Sequence, residues 1–121
     1  MKIAVTSTGV DLDSQVEPRF GRCPYFLIVE TETFEFEAVE NPNIALGGGA
    51  GIQSAQLLAN HGVQTVLTGN CGPNAHQVLS SAGIKIITGV SGKVKDAIEE
   101  YKLGTYSADQ QPNVAAHYGM G

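Results

Sequence analysis

Residues 62–89 read GVQTVLTGNCGPNAHQVLSSAGIKIITG, and this stretch decides the class of fold. Two short β-branched runs, Thr65–Thr68 and Ile84–Thr88, open alike, each soon after a glycine that ends the element before it. Between them Pro73 suits the first helical position, since its missing N–H is one that a helix start leaves unpaired anyway. Ala75, Val78, Leu79 and Ala82 then fall on one face ahead of Gly83. Strand, helix and strand at this spacing make a parallel βαβ unit with a right-handed crossover. Two similar strand onsets do not make a solenoid.

Upstream, Lys2–Thr6 is a short apolar run towards Gly9 and predicts a buried first strand. Tyr25–Glu30 and Phe34–Glu40, joined by Thr31-Glu32-Thr33, predict an antiparallel hairpin. In its second strand Phe34, Phe36 and Ala38 alternate with glutamates and only Val39 breaks the pattern, which predicts one buried face and one wet face. Gly47–Gly51 opens a helix with Ile52, Ala55, Leu58 and Ala59 on one side, ended by Gly62. A last helix, about Gly92–Lys102, turns Val94, Ala97, Ile98 and Tyr101 inward before Gly104. The order βββαβαβα predicts an α/β fold in which helices flank a mixed five-stranded sheet. One domain is expected over residues 1–104, followed by a polar tail, 105–121, expected to be flexible.

Composition narrows the function. The 121 residues carry a net charge of -5, with seven Lys or Arg and no basic stripe, which argues against nucleic acid as a partner. No apolar run approaches a membrane span and no secretory leader is visible, so the expected location is cytoplasmic and no membrane partner is expected. There Cys23 and Cys71 stay thiols.

With the first, third, fourth and fifth strands pointing one way and the second the other, four features reach the same sheet edge. They are the 8–24 loop, the start of the second strand, the glycine run and the Cys71 turn, at the edge where open α/β sheets bind ligands. Two helices begin there, each offering unpaired N–H groups and a partial positive charge. The candidate anion-binding residues are Arg22, Gly48, Gly49, Gly51, Gly72 and Asn74, with Cys71 and Cys23 as candidate thiolate ligands. Arg22 beside Cys23, and the helix start beside Cys71, are expected to favour the thiolates. Soft thiolates with amide and guanidinium donors suit an anionic metal–sulfur cluster.

Other chemistries fit less well. The glycine run lacks the Gly-Lys-Ser/Thr ending of a P-loop and does not match G-x-G-x-x-G in register. Asp11 and Asp13 offer too few oxygens for a hard cation. Three alternatives stay open: a thiol enzyme pairing Cys71 with His76, a metal-free protein–protein interaction module, and cysteines that are simply small core residues.

Phe20-Gly21-Arg22-Cys23-Pro24-Tyr25-Phe26, the glycine-rich start of the first helix, and Gly72-Pro73-Asn74-Ala75 followed by the Leu79 to Gly83-Ile84 strand onset carry a resemblance. Together they resemble the dinitrogenase iron-molybdenum cofactor biosynthesis family, which includes NifX, NafY, the C-terminal part of NifB and many small stand-alone proteins. The resemblance covers most of residues 2–103 and extends to the Gly119-Met120-Gly121 ending. It implies a ribonuclease H-like three-layer fold without nuclease activity. It also implies a non-catalytic role in binding or carrying iron-molybdenum cofactor, its precursors or a related iron-sulfur cluster, with cluster-assembly proteins as partners. A histidine serves as cofactor ligand in some members; this sequence departs from that pattern, and His76 is the candidate stand-in.

Overall fold

Every residue of β1 (Lys2–Ser7) after Lys2 is buried, as a run at the centre of a sheet covered on both faces must be. A computed structural model describes residues 1–44 and 49–106; the expectations placed on Gly47, Gly48 and the tail from residue 107 onward, His117 and Met120 included, lie outside the described residues. The strand order is β3-β2-β1-β4-β5, with β2 (Tyr25–Glu30), β3 (Phe36–Glu40), β4 (Thr65–Leu67) and β5 (Lys85–Ile87). β2 is antiparallel to both β1 and β3, whereas β4 is parallel to β1 and β5. The expected mixed sheet and strand directions are therefore those of the molecule.

Alternation along the strands builds two cores. Ala4, Phe26, Ile28, Val66 and Ile86 meet Ala55 and Leu58 of α1 (Ala50–Asn60) and Ala75 and Leu79 of α2 (Pro73–Ser81). On the other side Ile3, Val5, Leu27, Val29, Leu67 and Ile87 meet Val94, Ala97 and Ile98 of α3 (Val94–Lys102). The result is a helix–sheet–helix sandwich of the ribonuclease H-like kind.

Three local expectations are corrected. β3 starts at Phe36, because Phe34 closes the hairpin loop in the left-handed region (φ 61°), with its N–H bonded to the Glu30 carbonyl at 2.8 Å. β3 also has no buried Phe36–Ala38 face: the α3-side core reaches only as far as β2, Phe36 is 42% exposed, and Val39 packs towards α1 instead. In the helices, Ser54 and Leu58 are buried more fully than Ile52, and His76 takes an inward position while Ala82 faces water.

The long loop, residues 8–24, is held along its length. Val16 N–H bonds the Gly92 carbonyl at 2.8 Å, Glu17 N–H the Thr6 carbonyl at 2.9 Å, and Phe20 N–H the Asn70 carbonyl at 3.2 Å. The last contact brings Pro18 so close to the β4–α2 turn that a Cβ on Gly69 would stand 2.6 Å from Pro18 Cα and 2.7 Å from its carbonyl oxygen. Both are backbone atoms that cannot rotate away. Gly69→Ala is therefore expected to cost about 1–3 kcal/mol, the usual range for overpacking. It should appear as a lower urea midpoint with an unchanged slope.

Candidate functional site

The edge at the C-terminal ends of β1, β4 and β5 gathers the starts of three helices, and they are not alike. α3 is closed there: the loop turns its carbonyls onto the helix, Val94 N–H donating to Ser14 and Lys95 N–H to Leu12, each at 2.9 Å. Asp96 adds a negative charge in the first turn of α3. α1 and α2 have neither a side-chain cap nor an acidic residue in the first turn. In α1 the first intrahelical bond runs from Gln53 N–H to the Gly49 carbonyl at 3.0 Å. The amides of Ala50, Gly51 and Ile52 thus precede the ladder. Gly49 is the N-cap at φ 80°, a conformation that favours glycine. In α2 the first bond runs from His76 N–H to the Gly72 carbonyl at 3.0 Å, which leaves the amides of Asn74 and Ala75 outside the ladder.

Arg22 lies in the one-turn 3₁₀ helix Phe20–Arg22, which packs beside α1. Its Nη1 donates to the Ile44 carbonyl at 2.6 Å, so the guanidinium stands at the chain that enters the glycine run. The structure thus brings Arg22, Gly49, Gly51, Gly72 and Asn74 to one edge; Gly48 lies outside the described residues.

The cysteines lie beneath this edge. Cys23 is 0% and Cys71 1% exposed, both reduced thiols outside any disulfide, in the core between the sheet and α1/α2. Cys23 Sγ donates to the Phe20 carbonyl at 3.3 Å. Burial pushes the Cys23 thiol well above its ordinary pKa, and the charge of Glu17 adds to the push, outweighing the hydrogen bond from Asn41. This corrects the expectation that Arg22 would favour a Cys23 thiolate: sequence adjacency does not bring the guanidinium to a sulfur that faces the core. His76 is buried, with Nδ1 3.3 Å from Ser80 Oγ. Its Nε2 is buried without a hydrogen-bond partner among the described residues and so is engaged with neither thiol. Both cysteines are expected to resist iodoacetamide at neutral pH in the native protein and to react fully in denaturant. Rapid alkylation of native Cys71 would revive the thiol-enzyme reading.

Sequence reading missed Asn41. This side chain, 2% exposed, donates from Nδ2 to the Cys23 carbonyl at 2.9 Å and accepts at Oδ1 from Asn43 N–H at 3.0 Å. Ser54 Oγ lies 3.4 Å from the same oxygen. Asn41 thereby ties the end of β3, the 3₁₀ turn and α1 together. Its only signal in the sequence is the Asn-Pro-Asn turn, which says nothing of burial.

The dinitrogenase iron-molybdenum cofactor family profile matches residues 1–104. The chain belongs to that family. Its curated relatives include the Methanocaldococcus jannaschii protein MJ0580, 32% identical over 108 residues, or 86% of this chain and 92% of the relative. Among solved structures, the apo form of the orange protein from Desulfovibrio gigas is 41% identical. It superposes with a TM-score of 0.91 over 93% of this chain and 96% of its own. The NMR structure of TM1290 from Thermotoga, a candidate NifB protein of the DUF35 family, is 37% identical with a TM-score of 0.77, covering 88% of this chain and 91% of its own. Membership of the iron-molybdenum cofactor family places the chain among proteins with a role related to cofactor binding or biosynthesis. Among the described residues, no helix is long and apolar enough to cross a membrane.

Proposed function

We propose that this protein is a non-catalytic, cytoplasmic carrier for a preassembled anionic metal–sulfur cluster of the iron-molybdenum or iron-sulfur type, taken from and passed to cluster-assembly proteins. The observation that carries this reading is the convergence of two uncapped, acid-free helix starts, α1 and α2, on one sheet edge beside Arg22. Backbone amides and a guanidinium can hydrogen-bond cluster sulfides without replacing any metal ligand. The donor set suits cargo that arrives complete, since two buried thiols cannot by themselves close a four-thiolate site. Solved relatives support the same direction: one is described as an apo form of a protein named for a colour, another as a candidate NifB.

In this reading Gly49, Gly51, Gly72 and Asn74 supply amides, and Gly48, preceding them in the chain, extends the same run. Cys71 adjoins the start of α2 and is the thiol placed to reach the cargo once its side chain turns outward; Cys23 serves packing. His76, one turn into α2, offers Nε2 behind the amides. Anaerobic incubation with a preformed anionic iron–molybdenum–sulfur cluster, assembled from iron, sulfide and molybdate before the protein is added and read by visible absorption and metal analysis after desalting, tests the proposal. Retention of a cluster by the wild type and by Cys23→Ser is the expected result, and loss in Cys71→Ser would assign that thiol as a ligand. A folded wild-type protein that retains no metal would overturn the carrier reading.

A further inference from the structure

We propose that β3 is a docking edge for an extended, basic segment of a partner protein, which adds a sixth strand beside Phe36–Glu40. β5 and β3 are the two outer strands of the sheet, and they are protected differently. β5 is three residues long and carries Lys85, two features that discourage another chain from pairing there. β3 is five residues long, contains neither Lys nor Pro, and is exposed at every position except the half-buried Val39.

Hydrogen bonds beyond the two ends of β3 fix the direction of its backbone groups. Glu30 N–H donates to the Glu35 carbonyl and Asn41 N–H to the Pro24 carbonyl, each at 2.9 Å. In this antiparallel register Ile28↔Glu37 and Phe26↔Val39 are therefore the hydrogen-bonded pairs. The N–H and C=O groups of Phe36, Ala38 and Glu40 consequently point away from β2, at the open side of the sheet. Such a row is the template that an added strand uses.

Charge selects the occupant. Between Arg22 and Lys85 the chain has no Lys or Arg, and its only acidic residues there are Glu30, Glu32, Glu35, Glu37 and Glu40, all in the hairpin. Glu30 is engaged by the N-terminal ammonium at 2.6 Å, which leaves Glu35, Glu37 and Glu40 on or beside the open strand. A second copy pairing through β3 would gather two sets of these glutamates along one seam with no Lys or Arg on either strand to offset them, and like charges brought together destabilise a strand pair. Lys or Arg on an incoming strand would instead form cross-strand ion pairs, while the exposed Phe36 offers apolar contact to its alternate residues. β3 leads through Asn41 towards the start of α1, so a docked strand lies on the approach to the anion-binding edge. Docking at β3 needs only this edge geometry and charge, whether or not the protein carries a cluster.

The test is a titration of the full chain with an acetylated seven-residue peptide alternating lysine and valine, with a glutamate–valine peptide as control, followed by amide hydrogen exchange. The lysine peptide is expected to slow exchange at Phe36, Ala38 and Glu40 about tenfold or more, and the glutamate peptide to leave it unchanged. Ala38→Pro removes one outward donor while sparing the β2–β3 ladder, and should weaken the lysine peptide about tenfold. Continued protection of the Glu37 and Val39 amides checks that the variant keeps its hairpin. Glu37→Gln combined with Glu40→Gln should also weaken binding, with no demand on the backbone. Binding without slowed exchange at the three amides, or binding that ignores both variants, overturns the proposal. So does slow exchange of those amides in the free protein, which would mean that a second copy or the chain's own remainder already covers the edge.

Discussion

Asn41→Leu is expected to lower stability by about 3 kcal/mol, since buried groups left without a partner cost roughly 1–3 kcal/mol each. The carbonyl of Cys23 would lose its 2.9 Å amide donor, Asn43 N–H would lose its acceptor, and Ser54 would keep its hydroxyl in the core with one neighbour fewer. For a domain of this size that corresponds to a drop of roughly 10 °C in Tm. Asn41→Asp separates the donors from the acceptor. It preserves the bond from Asn43 N–H but turns a carboxylate towards the carbonyls of Gly21 and Cys23, so it should fare no better than leucine. A scanning calorimetry shift below 3 °C for both variants would show that the site relaxes around the loss.

Asn74→Asp is expected to move two measurements in opposite directions. Residue 74 is exposed in the first turn of α2, which carries no acid, and a carboxylate there complements the helix dipole by about 0.3–1 kcal/mol. Thermal stability should therefore rise slightly. The same carboxylate faces an incoming anion, so cluster retention should fall about tenfold or more, equivalent to at least ~1.4 kcal/mol of binding. General damage to the fold cannot raise the melting temperature while abolishing uptake, and this separates electrostatic repulsion from misfolding. Unchanged retention would remove the α2 start from the site.

Much of this was legible in the chain. Pro73, Gly62, Gly83 and Gly104 mark helix limits within a residue or two, and β2 has the expected limits. Strand polarity followed from element order, so the meeting of the Arg22 loop, the glycine run and the Cys71 turn could be anticipated. Side-chain direction could not. The alternation in Phe34–Glu40 reads as a half-buried strand, but α3 stops short of β3, and the width of the covering layer is a property of the whole sandwich. Burial of Cys23 likewise depends on the 3₁₀ turn that swings its sulfur under α1, for which Arg22 as a neighbour in sequence gives no warning. The buried role of Asn41 needed three separate segments to arrive at once.

The three helix starts at the sheet edge are protected unequally. The loop turns its carbonyls onto α3 on one flank of the sheet edge, while the two starts that lack a side-chain cap among the described residues both belong to the layer on the other flank. A guest would accordingly be gripped from a single side, with its far hemisphere turned to the surroundings. If the protein carries a cluster as proposed, such a half-open seat would let a recipient take hold before the donor has let go.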